Sequence, residues 1–154
     1  NHMDDSVNEL RRIACNMMPE SLLYMGLEAS LRDLSNAMSQ PQLQIDFQAS
    51  NLRTDYKQSF LIAVYRIVQE LLTNAIKHSG ATQIWVQCSQ ADGYFYITVE
   101  DNGKGFDPSM KDTKREGIGL SNIHNRVEIL NGHLEIDATI GKGASFHIQL
   151  ELAE

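Results

Sequence analysis

Cysteine, proline and tryptophan are scarce in this chain: two, three and one in 154 residues. Cys15 and Cys88 stand far apart with no metal-type spacing, which argues against a disulfide-stapled scaffold and suits a reducing compartment. Both read as small buried side chains. Long apolar runs are missing too, and no stretch approaches the uninterrupted length that spans a bilayer. Positive charge is in deficit, 13 Lys and Arg against 20 Asp and Glu, a net −7. Nucleic acid is therefore not an expected partner, because a phosphate backbone rewards a basic footprint. A phosphate site here must rest on local cations and backbone N–H donors. The length allows one domain with a core plus a helical arm. Asn1-His2-Met3 is expected to be a cloning remnant, so residues 1–3 stay out of the functional argument and the chain is expected to be a cut piece.

Residues 5–38 carry helical periodicity. Leu10, Ala14 and Met17 share one face; Leu27, Leu31, Leu34 and Met38 repeat the pattern, and Pro19 ends or kinks the helix between them. The stripe predicts one wall of a helical bundle completed by absent helices or a second chain. A helix packed on its own domain is the alternative. Ser39-Gln40-Pro41 breaks the helix. Leu43, Ile45 and Phe47 alternate as in a half-buried strand. Thr54 is the expected N-cap of a long helix, with Asp55 in its first turn. Its apolar face runs through Leu61, Val64, Val68, Leu71 and Ala75 to a stop at Ser79-Gly80. Thr82–Ser89 and Tyr94–Glu100 read as strands joined at Asp92-Gly93. Residues 104–116 show little periodicity and predict a mobile loop. Leu120, Ile123, Val127 and Leu130 mark a short helix, stopped at Asn131-Gly132. His133–Ile140 and Ala144–Leu152 form a last hairpin through Gly141-Lys142-Gly143. The tally after the arm is about five strands and two helices, an α/β sandwich with helices on one face.

Three segments carry chemistry. Along the long helix, Glu70, Asn74, Lys77 and His78 share a face. Mg²⁺ takes oxygen ligands and often binds through one or two protein groups plus substrate phosphates. Asn74 suits that, since its amide adds no negative charge beside a triphosphate. A plain solvated helix face would look similar. The strand Tyr94–Glu100 then runs into Asp101-Asn102-Gly103-Lys104-Gly105-Phe106. A carboxylate only accepts hydrogen bonds, so Asp101 can take one from an exocyclic amine and prefer adenine to guanine. Gly103 and Gly105 would let backbone approach a ligand closely. Gly117-Ile118-Gly119-Leu120 comes directly before the expected helix start, where N–H groups and the helix dipole favour an anion. Lys104, Lys111, Lys114 and Arg115 lie between, able to fold over a charged ligand or simply solvated.

Together, Glu70-Leu71-Leu72-Thr73-Asn74-Ala75-Ile76-Lys77-His78-Ser79, Asp101-Asn102-Gly103-Lys104-Gly105-Phe106 and Gly117-Ile118-Gly119-Leu120-Ser121-Asn122-Ile123 resemble the Bergerat ATP-binding fold of sensor histidine kinases. Gyrase B, MutL-type repair proteins and the ninety-kilodalton chaperones share that fold. The likeness runs from about Gln40 to Leu152 and implies an α+β, two-layer sandwich with a mixed sheet, preceded by a helical dimerisation arm. Within the superfamily, the segment after Asn74 resembles the nitrate-sensor and membrane-fluidity-sensor subfamily of two-component kinases. Arg12–Pro19, Leu22, Gly26-Leu27 and Ala29-Ser30-Leu31 resemble the second dimerisation helix of those kinases. The implied organisation is residues 4–39 as part of a dimerisation and phosphotransfer bundle and 40–154 as the catalytic domain.

The resemblance implies ATP and Mg²⁺ as cofactors, with Asn74 as metal ligand and Glu70 beside the metal or attacking group. Lys77 and His78 would lie near the phosphates. Asp101 would bind adenine with Gly103, Lys104 and Gly105 around it; Gly117 and Gly119 would hinge the lid and receive the phosphates, with Leu120 also at the nucleotide. It implies γ-phosphoryl transfer to a histidine, a response regulator receiver domain as partner, and a homodimer through the arm. The location implied is a cytoplasmic domain of a parent that could be anchored in the inner membrane. Two departures stand out. The family's threonine near the last strand is replaced by Ala144, with Ser145 the nearest hydroxyl for the adenine site. No phospho-acceptor motif is found, since His78, His124, His133 and His147 belong to other elements. The piece is thus expected to bind ATP without labelling itself. A non-kinase ATPase of this fold, or a degenerate signalling or dimerisation module, remain the alternatives.

Overall fold

The computed structural model describes residues 22–107 and 114–152, with only the backbone for 114–119 and 121. Residues 1–21, Pro19 and Cys15 among them, and Lys111 lie outside the described residues. The elements are α1 (Leu22–Met25), α2 (Leu27–Met38), β1 (Gln44–Ser50), α3 (Gln58–His78), β2 (Gln83–Ala91) and β3 (Tyr94–Asp101). They continue with α4 (Lys114–Ile129), β4 (His133–Ala138) and β5 (Ala144–Glu151).

The five strands form one mixed sheet in the order β1-β2-β3-β5-β4. β1 and β2 pair in parallel, which requires the crossover that α3 supplies. Every other pairing is antiparallel. The Asp92-Gly93 turn joins β2 to β3 as expected, Asp92 taking a positive φ of 54°. Alternation then sorts the side chains. Ile45 and Phe47, Ile84, Val86 and Cys88, Phe95, Ile97 and Val99, and Phe146, Ile148 and Leu150 are all buried. The helices cover that face. On the other face Trp85 is 43% exposed, in keeping with an antiparallel sheet that leaves one side to water. Burial pushes the Cys88 thiol up to about 12, so it packs as an inert hydrophobe.

α3 is 21 residues long and, by length and composition alone, apolar enough to cross a membrane. Here it lies on the sheet, with Val64, Ile67, Val68, Leu71 and Leu72 essentially without exposure. Each such side chain contributes about 1.5–3 kcal/mol of burial free energy. The expected cap at Thr54 is not formed: the helix begins at Gln58, and Lys57 occupies the cap position without a side-chain hydrogen bond. Tyr56 explains the shift. Its ring packs on Phe60 and edge-on to Phe95, while its hydroxyl bonds Gln90 and accepts the Arg53 N–H. Those contacts hold the segment before Gln58 outside the helix.

The Leu/Met stripe also departs from expectation. Leu27, Leu31, Leu34 and Met38 are buried, at 3, 0, 3 and 8% exposure. α2 packs against β1 and α3, so this stripe is core rather than an open bundle wall. The reason is geometric: Ile45 and Phe47 on edge strand β1 need a cover that α3 alone does not provide. Exposed apolar surface is confined to Leu23, Tyr24 and Met25 in that region, ahead of the break at Gly26.

Candidate functional site

The sequence motifs meet at one end of the sheet. Asn74, Ala75, His78 and Ser79 from α3, Asp101, Lys104, Gly105 and Phe106 after β3, Leu120 from α4, and Ala144 and Phe146 from β5 line a single cavity. Its walls are largely apolar, and the Phe106 and Phe146 rings stand 6.3 Å apart, tilted by 35°. Asp101 is buried. Its carboxylate accepts the Gly103 N–H at 2.8 Å, and the Ala144 N–H of the neighbouring strand also favours its charge. Burial raises its pKa, the two amide donors oppose that, and neighbouring Glu100 adds to it. A buried carboxylate in an apolar pocket with acceptor capacity left is suited to reading one donor on a flat ring.

The loop after Asp101 is stitched to its neighbours by backbone. Lys104 N–H donates to Ser79 O at 2.8 Å, and Gly141 N–H donates to Lys104 O at 2.6 Å. The strand-to-loop turn thus joins the end of α3 to the β4–β5 hairpin. Asn102 faces away from the cavity and accepts the N–H groups of Thr82 and Gln83, both at 3.0 Å. Of the two glycines expected to let backbone approach a ligand, Gly105 lines the cavity and Gly103 does not, and both are also closely approached by protein backbone. A Cβ at Gly103 would stand 2.3 Å from Ser79 O, and one at Gly105 would stand 2.0 Å from Thr139 O. Gly105 also has φ +65°, which side chains rarely adopt. Both glycines thus let backbone segments of the chain meet closely beside the cavity.

The cavity wall divides the helical quartet. Asn74 and His78 line the cavity. Lys77 is exposed and off its wall. Glu70, one turn before Asn74, instead meets Arg126 of α4, whose Nε donates to Oε1 at 2.9 Å. Ser145 is a further correction. Pleat alternation turns it to the opposite sheet face, where its hydroxyl donates weakly to Glu100 at 3.4 Å, while Ala144 lines the cavity. Gly117 and Gly119 do not precede a helix: α4 begins at Lys114, so both fall within its first turns. Leu120, the next described side chain, does reach the cavity.

Ala75, Ser79, Phe106, Ala144, Phe146 and Arg126 were not assigned site roles from the sequence. Phe106 was visible as the end of the glycine motif; Phe146 was visible only as one core position of an alternating strand. Arg126 gave no signal. For a divalent cation the cavity offers the amide oxygen of Asn74. Among the described residues no group of three or more His, Cys, Asp or Glu could hold a metal. That donor set fits Mg²⁺ held by few protein oxygens together with substrate phosphates and water.

Comparison with known proteins agrees with this geometry. The family model described as "Histidine kinase-, DNA gyrase B-, and HSP90-like ATPase" matches residues 61–154. The chain is 32% identical over 155 aligned residues to the sensor histidine kinase ComP of Bacillus subtilis, covering 97% of this chain and 20% of ComP. It is 31% identical over 140 residues to the signal transduction histidine-protein kinase/phosphatase DegS of the same organism, covering 88% of this chain and 36% of DegS. It therefore spans well under half the length of either relative. The histidine kinase domain of the blue-light activated kinase from Erythrobacter litoralis EL346 superposes with a TM-score of 0.73 at 22% identity. That match covers 92% of this chain and 73% of the other.

Proposed function

Because this chain belongs to the histidine kinase-, DNA gyrase B- and HSP90-like ATPase family, we propose that it is the ATP-binding catalytic domain of a sensor histidine kinase. One observation carries the reading. A buried carboxylate, Asp101, shares an apolar cavity with Asn74, His78 and Lys104, so ring recognition and phosphate chemistry are served at one place. Adenine lies between apolar walls formed by Ala75, Phe106, Leu120 and Phe146, with its exocyclic amine donating to Asp101. Asn74 supplies the protein oxygen for Mg²⁺, which when bound offsets charge on the phosphates. Lys104 and His78 flank the phosphates, Lys77 adds positive potential from outside, and the Gly117–Gly119 backbone lies within the first turns of α4.

Transfer relies on positioning and charge neutralisation. The acceptor imidazole nitrogen bonds to the γ-phosphorus, and the bond from that phosphorus to the bridging oxygen breaks. ADP leaves with the electron pair, and the ring gives up its proton. Glu70 acts as the polar partner of that attacking group. The acceptor histidine sits on a dimerisation helix of the parent kinase, and the phosphoryl group passes on to a response regulator receiver domain. The segment ahead of α2 contributes to the dimerisation bundle, and exposed Leu23, Tyr24 and Met25 are the surface that would join it. The domain works in the cytoplasm, as part of a longer parent kinase. Titration with a non-hydrolysable ATP analogue and Mg²⁺, beside Asp101→Ala, tests the reading. Binding that the variant loses supports it; no binding in either chain overturns it.

A further inference from the structure

Glu70 and Arg126 meet across the two helices that bound the cavity. Arg126 holds Glu70 Oε1 through Nε at 2.9 Å, with the two side chains 39% and 24% exposed. The second oxygen, Oε2, is buried and has no hydrogen-bond partner among the described residues. The asymmetry is informative. A guanidinium placed only to neutralise a carboxylate commonly takes both oxygens in a fork. Here it fixes one oxygen and leaves the other without a partner among the described residues, an arrangement that costs folding free energy and calls for an explanation. Glu70 stands one turn before Asn74 on α3. Arg126 stands on α4 six residues after Leu120, so the ion pair also ties together the helices that supply Asn74 and Leu120 to the cavity.

We infer that Arg126 is a positioning residue for phosphoryl transfer. By holding Oε1 it sets the plane of the Glu70 carboxylate, so that Oε2, covered in this structure, is already oriented when the attacking group docks. This rests on the histidine kinase reading proposed above. It assigns Arg126 to Glu70 and not to the nucleotide phosphates.

The test uses the parent kinase with Arg126→Ala, Arg126→Lys, Glu70→Gln and the double variant Glu70→Gln/Arg126→Ala. Autophosphorylation kcat and KM for MgATP are measured beside the nucleotide dissociation constant. Arg126→Ala is expected to lower kcat by about tenfold or more, with KM and nucleotide affinity within about twofold of the unmodified kinase. Arg126→Lys should recover part of the loss, and it keeps the test open if the alanine variant misfolds. In the Glu70→Gln background, removing Arg126 should change kcat no further, because the group it positions is already gone. Three results overturn the inference: unchanged kcat in Arg126→Ala, an equal kcat loss in both backgrounds, or a loss confined to nucleotide affinity, which would make Arg126 a phosphate ligand. An unmodified parent that binds MgATP but transfers nothing overturns the kinase reading itself, and this inference with it.

Discussion

Ala144 stands opposite Asp101 as its register partner across β3 and β5, and its backbone N–H favours the ionised form of that carboxylate. The pairing places the buried acidic side chain of the cavity, the only one among the described lining residues, next to the methyl group of Ala144.

Asp101→Ala should weaken binding of an ATP analogue by about 10- to 100-fold, the loss of one hydrogen bond to a charged acceptor. Calorimetric titration measures it directly. An affinity equal to that of the unmodified chain would remove Asp101 from the adenine site.

The pH dependence of stability follows from the raised pKa of Asp101. A carboxyl whose pKa is higher folded than unfolded binds its proton more tightly in the fold. Its unfavourable contribution is complete above the folded pKa and disappears as pH falls below the unfolded value. The melting temperature of the unmodified chain relative to Asp101→Asn should therefore rise on acidification through that window. Paired melts across acidic pH check the sign, and a gap that widens in the other direction would contradict the burial argument.

Ser145→Ala should leave nucleotide affinity within about twofold, since the hydroxyl faces Glu100 on the far side of the sheet. Ala144→Ser, by contrast, puts an oxygen on the cavity wall and should change affinity, in the direction of tighter binding. The same titration separates the two positions.

Gly143→Ala should destabilise the domain by about 1–3 kcal/mol or more. The residue has φ +80°, and an added Cβ would stand 2.1 Å from Asp101 O. Thermal melts without ligand should show the loss before any binding assay does.

Leu31→Ala should cost about 2–5 kcal/mol, as for a fully buried leucine. Leu23→Ala, at a side chain 45% exposed, should stay within about 0.5 kcal/mol. Denaturant unfolding of both variants measures how far α2 belongs to the core. Equal small effects would instead support the open-stripe picture.

Strand and helix order, the Asp92-Gly93 hairpin and the three ATP motifs were legible in the chain because they are local. Period-2 and period-3.6 patterns follow from backbone geometry, and a strand running into Asp101 and two glycines announces its turn. Which residue faces which neighbour was not local. Glu70, Asn74, Lys77 and His78 share a helix face by spacing. Only packing separates Asn74 and His78 at the cavity from Glu70 at Arg126 and Lys77 in solvent. Gly103 and Gly105 advertise close approach, but what approaches them is Ser79 and Thr139, far away in sequence. The Leu27–Met38 stripe has the same periodicity whether it faces a bundle or a sheet; the uncovered apolar edge of β1 decided for the sheet. Ser145 and Ala144 are neighbours in the chain and opposites in the pleat, and strand register chose the methyl for the site. The amino-acid sequence by itself determined the elements and the chemical groups available. The tertiary structure decided which of those groups meet, because contact depends on long-range packing that spacing along the chain does not encode.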